Sequence, residues 1–349
     1  MKKILLLALF ICSILLLSCG ESGQKKHKSP KISPPDEFSV VFYNCENFFD
    51  TIDNSNQNDD AYVPASKTKW NSKKYNKKVR NISRVIRAIN DYNFPALVGL
   101  SEIENQNVLT DLIHSESLAG AGYQIVYHEN NSPRHADVAL LIDPKRIKVV
   151  SSHGILVDES ENAQREILYT KVVVMNTDTL HVFVNHWKSR NGEVKKTEAK
   201  RMPFATLLRK EVDSLFSKNA NANILIMGDL NDEPNNKTIS DVLNAGPIVN
   251  NLQVKTLYNL FYQAFDSGQG TVFHKKWFLF DQMIVSSNLL LPKENHLHFK
   301  SGSAKIFSKK WMLNNTTQGN IPYGTFDNEK YTGGFSDHLP VTIVLKMKR

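Results

Sequence analysis

Cysteine is scarce in this chain of 349 residues, which holds three: Cys12, Cys19 and Cys45. Cys12 lies in an apolar N-terminal run that reads as a removable leader, and Cys19 closes it. Cys45 then stands alone, so the mature chain is expected to form no internal disulfide. Long hydrophobic runs are scarcer still. Ile4 to Leu17 gives 14 apolar or small residues, short of the roughly 20 needed to span a bilayer. No GxxxxGK[ST] loop, no GxSxG elbow and no Cys–His zinc spacing occur. P-loop nucleotide hydrolysis, elbow-type serine hydrolysis and a structural zinc site are thereby excluded. No 20–50-residue repeat is visible, so a solenoid or propeller is excluded as well.

Positive charge is present but unevenly placed. The formal charge is +8 and the pI about 9.1, values that invite a nucleic-acid partner. Lys2 and Lys3, the cluster Lys25, Lys26, Lys28 and Lys31, and the tail Lys346, Lys348 and Arg349 supply most of the excess. The remaining body carries about +2. Bulk charge therefore says little about substrate. Hydrophobic residues at 41% and charged residues at 22% fit a globular chain with a core of ordinary size.

Residues 1–18 read as a secretory signal, with Lys2 and Lys3 ahead of the apolar run. The segment Leu16-Leu17-Ser18-Cys19-Gly20 resembles a bacterial lipobox, which implies cleavage before Cys19 and lipidation of that residue. An ordinary cleaved leader with an incidental cysteine is the alternative. Several acyl chains hold a protein on a membrane where one does not. Gly20 after Cys19, by resemblance to other bacterial lipoproteins, points mildly to the outer membrane. Residues 19–37 are rich in Gly, Ser, Pro and Lys and lack hydrophobic periodicity, as a flexible basic tether should.

From residue 38 strand-like and helix-like segments alternate, and 38–349 reads as one α/β domain of 312 residues. Tyr75, Val79, Ile82, Val85, Ile86 and Ile89 recur at three- and four-residue steps, which predicts a one-sided helix. Ala205, Leu208, Val212 and Leu215 predict a second within about 197–217. Strands are expected at Phe38–Tyr43, Ala96–Leu100, 123–128, 137–142, 147–151, 168–175, 180–185, Asn223–Met227, 281–286 and 340–346. One-sided helices suit the outer faces of sheets.

Polar residues stand just beyond these strands. Asn44 follows FSVVFY, Glu102 follows ALVGLS, and His186 follows VFVN. Asp229, Asn231 and Asp232 follow NILIMG, Asp281 opens DQMIVS, and Asp337 and His338 precede LPVTIV. Rigid strand ends can gather such groups in one pocket. Hard oxygen ligands with few histidines favour Mg²⁺, Mn²⁺ or Ca²⁺ over Zn²⁺. A histidine oriented by an aspartate can move a proton near neutral pH, and asparagine amides can hold an anion.

The segments FYNCENFFD, GLSEIEN, SPRHADVALLID, VNHWKSR, MGDLNDEP, FDQMIVS and FSDHLPV, in that order, resemble the endonuclease/exonuclease/phosphatase superfamily, whose members are similar to pancreatic deoxyribonuclease. The resemblance covers nearly all of 38–349. It implies a four-layer α/β sandwich, two mixed β-sheets packed face to face with helices outside, and divalent-metal-dependent hydrolysis of phosphate esters. By position it makes Glu102 the main metal ligand, with Asn44 in the metal network and Asp337 as a second carboxylate. His338 becomes the general base or a phosphate contact, and Asp281 its orienting partner. Asp229 aligns or activates the attacking water. Asn231 holds a phosphoryl oxygen. His186 stabilises the transition state or protonates the leaving oxygen. Arg134 is a further phosphate contact, and Asp137 falls on the same segment. Mg²⁺ is the expected ion, with Mn²⁺ or Ca²⁺ as substitutes.

Several residues have a plainer reading. Cys45, Trp187, Trp277 and Phe335 are expected to pack in the core. Lys73-Lys74 and Lys77-Lys78 are expected on the solvated side of the first helix. Of Glu102 and Glu104, one is expected to be simply solvated, and Glu102 is chosen for the site. Lys188, Arg190 and Lys195-Lys196 read, by a small margin, as a phosphate-facing patch. Gln282 stands where inositol-polyphosphate phosphatases carry Arg, which speaks against that activity. Three functions remain: a nuclease or other phosphodiesterase at the bacterial cell envelope, acting on DNA or RNA; a phosphatase or phospholipid head-group phosphodiesterase with the same chemistry; and a non-catalytic lipoprotein that binds phosphorylated ligands. A monomer anchored by its lipid is expected in each case.

Overall fold

The computed structural model describes residues 36–54, 59–91, 93–129, 137–157, 165–190, 194–328 and 330–347. The expected leader, Cys19, nearly all of the tether, and Arg134 lie outside the described residues.

Two seven-stranded sheets carry the fold. The first contains β1 (Glu37–Phe48), β2 (Leu97–Ile103), β3 (Gln124–Tyr127), β4 (Asp137–Ile142), β14 (Leu297–Phe299), β15 (Lys305–Ile306) and β20 (Val341–Met347). Its order is β14-β20-β1-β2-β4-β3, with β15 also on β20. The second contains β5 (Ile147–Val157), β6 (Arg165–Val174), β7 (Asp178–His186), β8 (Ile224–Asp229), β9 (Ala245–Gly246), β10 (Leu257–Asn259) and β13 (Asp281–Ser286). Its order is β5-β6-β7-β8-β13-β10-β9. Both are mixed: β1 runs parallel to β2 and β7 parallel to β8, while most other pairs are antiparallel. The hairpins β11 (Val272–His274) with β12 (Lys276–Phe278), β16 (Leu313–Thr316) with β17 (Gly319–Pro322), and β18 (Phe326–Asp327) with β19 (Lys330–Tyr331) stand apart.

Three apolar cores stack the layers. The inner faces meet in one, where Val40, Phe42 and Leu140 lie with Val182, Leu225 and Met283. Their alternation along each strand is what a half-covered sheet requires. Gly99 of β2 lets the sheets approach, because a Cβ there would lie 2.5 Å from Met227 Sδ. A second core covers the outer face of the first sheet with α1 (Ser72–Ala88) and α2 (Gln106–Ile113). A third covers the second sheet with α3 (Val194–Lys218). Helix α1 starts where Asn71 caps the Lys73 and Lys74 amides, and its whole predicted stripe is buried. The layers run helix, sheet, sheet, helix, as the superfamily implies.

Among the described residues no helix is long and apolar enough to cross a membrane. Helix α2 went unforeseen, and β1 continues five residues beyond Tyr43. Lys78 corrects the solvated reading of α1. It is buried, with Nζ donating to Thr325 Oγ1 and to the Phe335 carbonyl (3.0 Å), and it faces Glu46 at 3.8 Å.

Candidate active site

Strand register puts the polar residues in one place. Across the second sheet His186, Asp229 and Asp281 are consecutive Cα partners on β7, β8 and β13. In the first sheet Asn44 pairs with Ser101, next to Glu102. The Asn44 amide joins the two sheets. Its Nδ2 donates to Glu102 Oε1 and to Asp229 Oδ2, both at 3.0 Å, while its Oδ1 accepts the Glu46 amide at 2.9 Å.

The backbone bends to achieve this. Glu102 has φ 62° and sits where the β2–β4 register slips. Glu46 and Asn47, at φ 51° and 50°, fall where the β1–β2 register slips, and Asn231 has φ 49°. Left-handed backbone costs a non-glycine residue roughly 1–2 kcal/mol, and such strain gathers at functional sites. Here it turns side chains inward. The Asn47 amide reaches Glu102 Oε2 at 2.7 Å, and the Asn231 amide reaches Asp229 Oδ1 at 3.0 Å.

His338 is fixed from three directions. Its Nδ1 lies 2.7 Å from Asp281 Oδ2, and its Nε2 lies 3.9 Å from Asp229 Oδ2. Its backbone amide donates to Ser336 Oγ, which itself donates to the Asn44 carbonyl at 2.8 Å. His186 Nε2 stands 3.7 Å from both Glu102 Oε1 and Asp229 Oδ2.

This crowding sets the protonation states. Burial opposes the His338 charge, but Asp281, Asp229 and Asp337 outweigh it and raise the imidazole well above its ordinary value. Burial also opposes ionisation of Glu102, yet His186, the Asn44 amide and His338 hold it down at about 2. For Asp229 burial wins: with Asp281 adding to it against His338, the carboxyl rises to about 6. Burial and Glu102 likewise raise Asp337, against His338 and Lys78. Asp337 is half-exposed next to His338.

Asn231 Nδ2 donates to the Trp187 carbonyl at 3.1 Å, which leaves its second N–H for another acceptor. Arg190 corrects the phosphate-patch reading. Its guanidinium binds the Asn231 carbonyl and Asp232 Oδ1, each at 2.8 Å, and lies 4.8 Å from the Phe280 ring. It therefore braces the Asn231 loop rather than facing a substrate. Arg201, wholly buried, meets the other Asp232 oxygen at 2.8 Å. Lys188 is half-exposed, and the side chains of Lys195 and Lys196 are outside the described residues. Gln282 is buried as a strut, donating to the Asp232 and Leu279 carbonyls and accepting from Asn259. Asp137 is buried and accepts the Tyr127 hydroxyl at 2.9 Å. Cys45 is a core thiol that burial pushes up to about 12. The expectation that Glu104 or Glu102 is solvated fails, since Glu104 is 2% exposed and accepts the Asp50 amide at 2.6 Å.

Sequence reading missed Glu46, Lys78 and Ser336. Glu46 caps the Thr325 and Phe326 amides and is pushed to about 7 by burial and Asp337. Its place within FYNCENFFD, two residues after Asn44, was the available signal.

The donor set fits a hard divalent cation. Glu102, Asp229 and Asp337 crowd together, and burial, with neighbouring carboxylates adding to it, raises the pKa of Asp229 and Asp337. Among the described residues no three His, Cys, Asp or Glu form a ready-made chelate. Mg²⁺ needs none, since it keeps several waters and binds through one or two carboxylates plus substrate phosphate.

A four-layer sandwich with a His–Asp pair facing a carboxylate cluster across the sheet ends defines a class of protein, the phosphoester-hydrolase type of α/β sandwich. Residues 39–347 match the model of the Endonuclease/Exonuclease/phosphatase family, and the chain belongs to that family. Its members are typically metal-dependent phosphoester hydrolases. The chain is similar in fold to an endonuclease/exonuclease/phosphatase family protein from Bacteroides thetaiotaomicron, at 15% identity over 90% of this chain and 100% of that one, with TM-score 0.56. It is also similar to a mannosyl-6-phosphatase from Bacteroides thetaiotaomicron, at 15% identity over 88% and 99%, with TM-score 0.55. Humanized D. rerio TDP2 matches at 13% identity over 89% and 99%, with TM-score 0.55. No curated protein matches at a significant level.

Proposed function

We propose that this chain is a divalent-cation-dependent phosphodiesterase acting on nucleic acid at the bacterial cell envelope. The observation that carries the reading is the His338–Asp281 pair at 2.7 Å, with Nε2 turned toward Asp229. Glu102 and Asp337 would hold Mg²⁺, or Mn²⁺ in its place, with Asn44 fixing the Glu102 carboxylate. When bound, the cation supplies Lewis acidity and offsets charge on the phosphoryl oxygens.

The chain's own groups then divide the work. Asp229, at about 6, is the carboxylate near neutrality, so its Oδ2 takes a proton from the attacking water. His338 stays protonated at neutral pH, donates from Nδ1 to Asp281 and offers Nε2–H to a phosphoryl oxygen. This favours the phosphate-contact role over the general-base role for His338. Asn231 adds its second N–H. His186 Nε2 meets the charge that develops in the transition state or gives a proton to the leaving oxygen. Arg134 as a further phosphate contact rests on sequence alone.

A second reading draws on a cleft of about 270 Å³ lined by Asp50, Glu104, Asn105, Asn107 and Glu129, two residues along from Glu102. The Asp50 and Glu129 carboxylates there repel the neighbouring phosphates of a nucleic-acid strand, which favours a phosphomonoester or a phospholipid head group.

The test is a substrate panel of DNA, RNA, a phospholipid and p-nitrophenyl phosphate with the detergent-solubilised full chain in Mg²⁺. Nucleic-acid cleavage should be lost with EDTA and fall by about 10²-fold or more in His338→Ala. Turnover indifferent to both changes removes the mechanism, and turnover of the monoester or lipid alone selects the second reading.

A further inference from the structure

The strand ends opposite the site form a second charged place. β1 begins there at Glu37, β4 and β6 end there at Ile142 and Val174, and β7 begins there at Asp178. Asn44 lies seven residue steps along β1 from Glu37, about 23 Å at the rise of a strand. The turn after β4 and the turn after β6 wall a cleft of about 270 Å³ lined by Gln124, Lys145, Arg146, Lys148 and Asn176. Its lining residues, all of them described, include no carboxylate.

Lys145 and Lys148 are exposed. Arg146 pairs with Asp143 at 3.5 Å, donates from Nη1 to the Glu37 carbonyl at 3.2 Å, and accepts the Met175 amide on its own carbonyl. The cleft is thus tied to the residue at which the chain enters β1. Nearby, Lys300 and Lys346 approach the Glu37 carboxylate at 2.8 and 3.5 Å, two cations for one anion. Asp143 and Glu37 are matched by Arg146, Lys300 and Lys346, and Asp178 lies 3.4 Å from His296, so the local positive charge sits in the cleft itself, where Lys145 and Lys148 are exposed and no carboxylate is in the lining.

We propose that this cleft binds the phosphate of an anionic phospholipid and seats the β1-entry pole on a membrane surface, leaving the active site turned away from it. The partner follows from charge complementarity and from where the tether ends. Lys and Arg near an anionic bilayer each add to binding, screened by salt. Cationic side chains around a concave space bind phosphate more selectively than a flat basic patch. The inference goes beyond the hydrolytic reading, and it uses the tethered reading only to explain why this pole meets a membrane.

Both sheets and all three cores are built from residues 37–347, so a chain beginning at Gly20 carries the complete fold. Such a chain should co-sediment with phosphatidylglycerol/phosphatidylcholine vesicles at low salt and much less with phosphatidylcholine alone. Lys145→Glu/Lys148→Glu should cut that partition by about tenfold, and Lys145→Arg/Lys148→Arg should keep it. The tether's lysines contribute alike to all these variants. Hydrolysis of bis-(p-nitrophenyl) phosphate should be the same in each. Equal partition of the charge-reversed variant, or equal binding to phosphatidylcholine, overturns the inference. Vesicle binding without ester hydrolysis leaves it standing and removes only the proposed activity.

Discussion

Lys78 and Glu46 face each other at 3.8 Å in a buried space between α1 and the loop that delivers His338. Breaking a buried pair strands a charge, which costs about 3–5 kcal/mol. Lys78→Met should therefore lower stability by that order in urea denaturation, and Lys78→Met/Glu46→Gln should recover part of the loss. A single variant as stable as the parent removes the brace. Glu104 gives a pH-linked counterpart. Burial, with Asp50 and Asp59 adding to it against the Asp50 amide bond, raises it from 4.5 to about 8. A raised folded-state value means the protonated form is favoured by folding. That contribution is full below about 4.5 and is lost as pH climbs toward 8. Glu104→Gln stays neutral, so its Tm relative to the parent should rise from pH 4.5 to 8 and then level off. A constant gap across that range would sink the assignment. Neither residue's role was legible in sequence. Lys78 sits in a run of lysines that looks solvated, and Glu104 alternates with Glu102, because a charge pattern along the chain does not say which face a partner covers.

At the scale of elements, Gly228 sets how closely β8 lies to β7. A Cβ there would fall 2.5 Å from the Asn185 carbonyl oxygen. Gly228→Ala must push the strands apart at the step just before His186 and Asp229, for about 1–3 kcal/mol of overpacking. Lower stability and lower turnover should appear together in a urea melt and an ester assay, and an unchanged midpoint would show that the strands yield freely. Long, strongly patterned elements were the legible ones. The α1 stripe is buried where spacing put it, and 137–142 and 281–286 are strands to the residue. Helix α2 has eight residues and the strands between 297 and 331 have two to four, too few to display a period. The bulge that lengthens β1 and aims Glu102 depends on left-handed Glu46, Asn47 and Glu102. No propensity favours such a backbone at glutamate, so only the surrounding fold can hold it there.

For the molecule as a whole, the N-terminal reading remains a proposal about anchoring: Cys19 carries lipid, and the domain works on a tether at the envelope. Cys19→Ala should then move the protein from the membrane to the soluble fraction on cell fractionation, and an unchanged distribution would refute the anchor. The sequence by itself determined the α/β layering and the order of polar residues after strands. Both follow from local rules: apolar period sets which face is covered, and strand ends are where polar residues escape the core. Only the tertiary structure decided which of those residues meet. Asn44 and Asp229 come from different sheets and lie 185 positions apart, and His338 finds Asp281 from 57 positions away. Their protonation states, the brace made by Lys78 and the diversion of Arg190 into the Asn231 loop come from burial and cross-sheet register. Those depend on how the two sheets pack, which no single segment encodes.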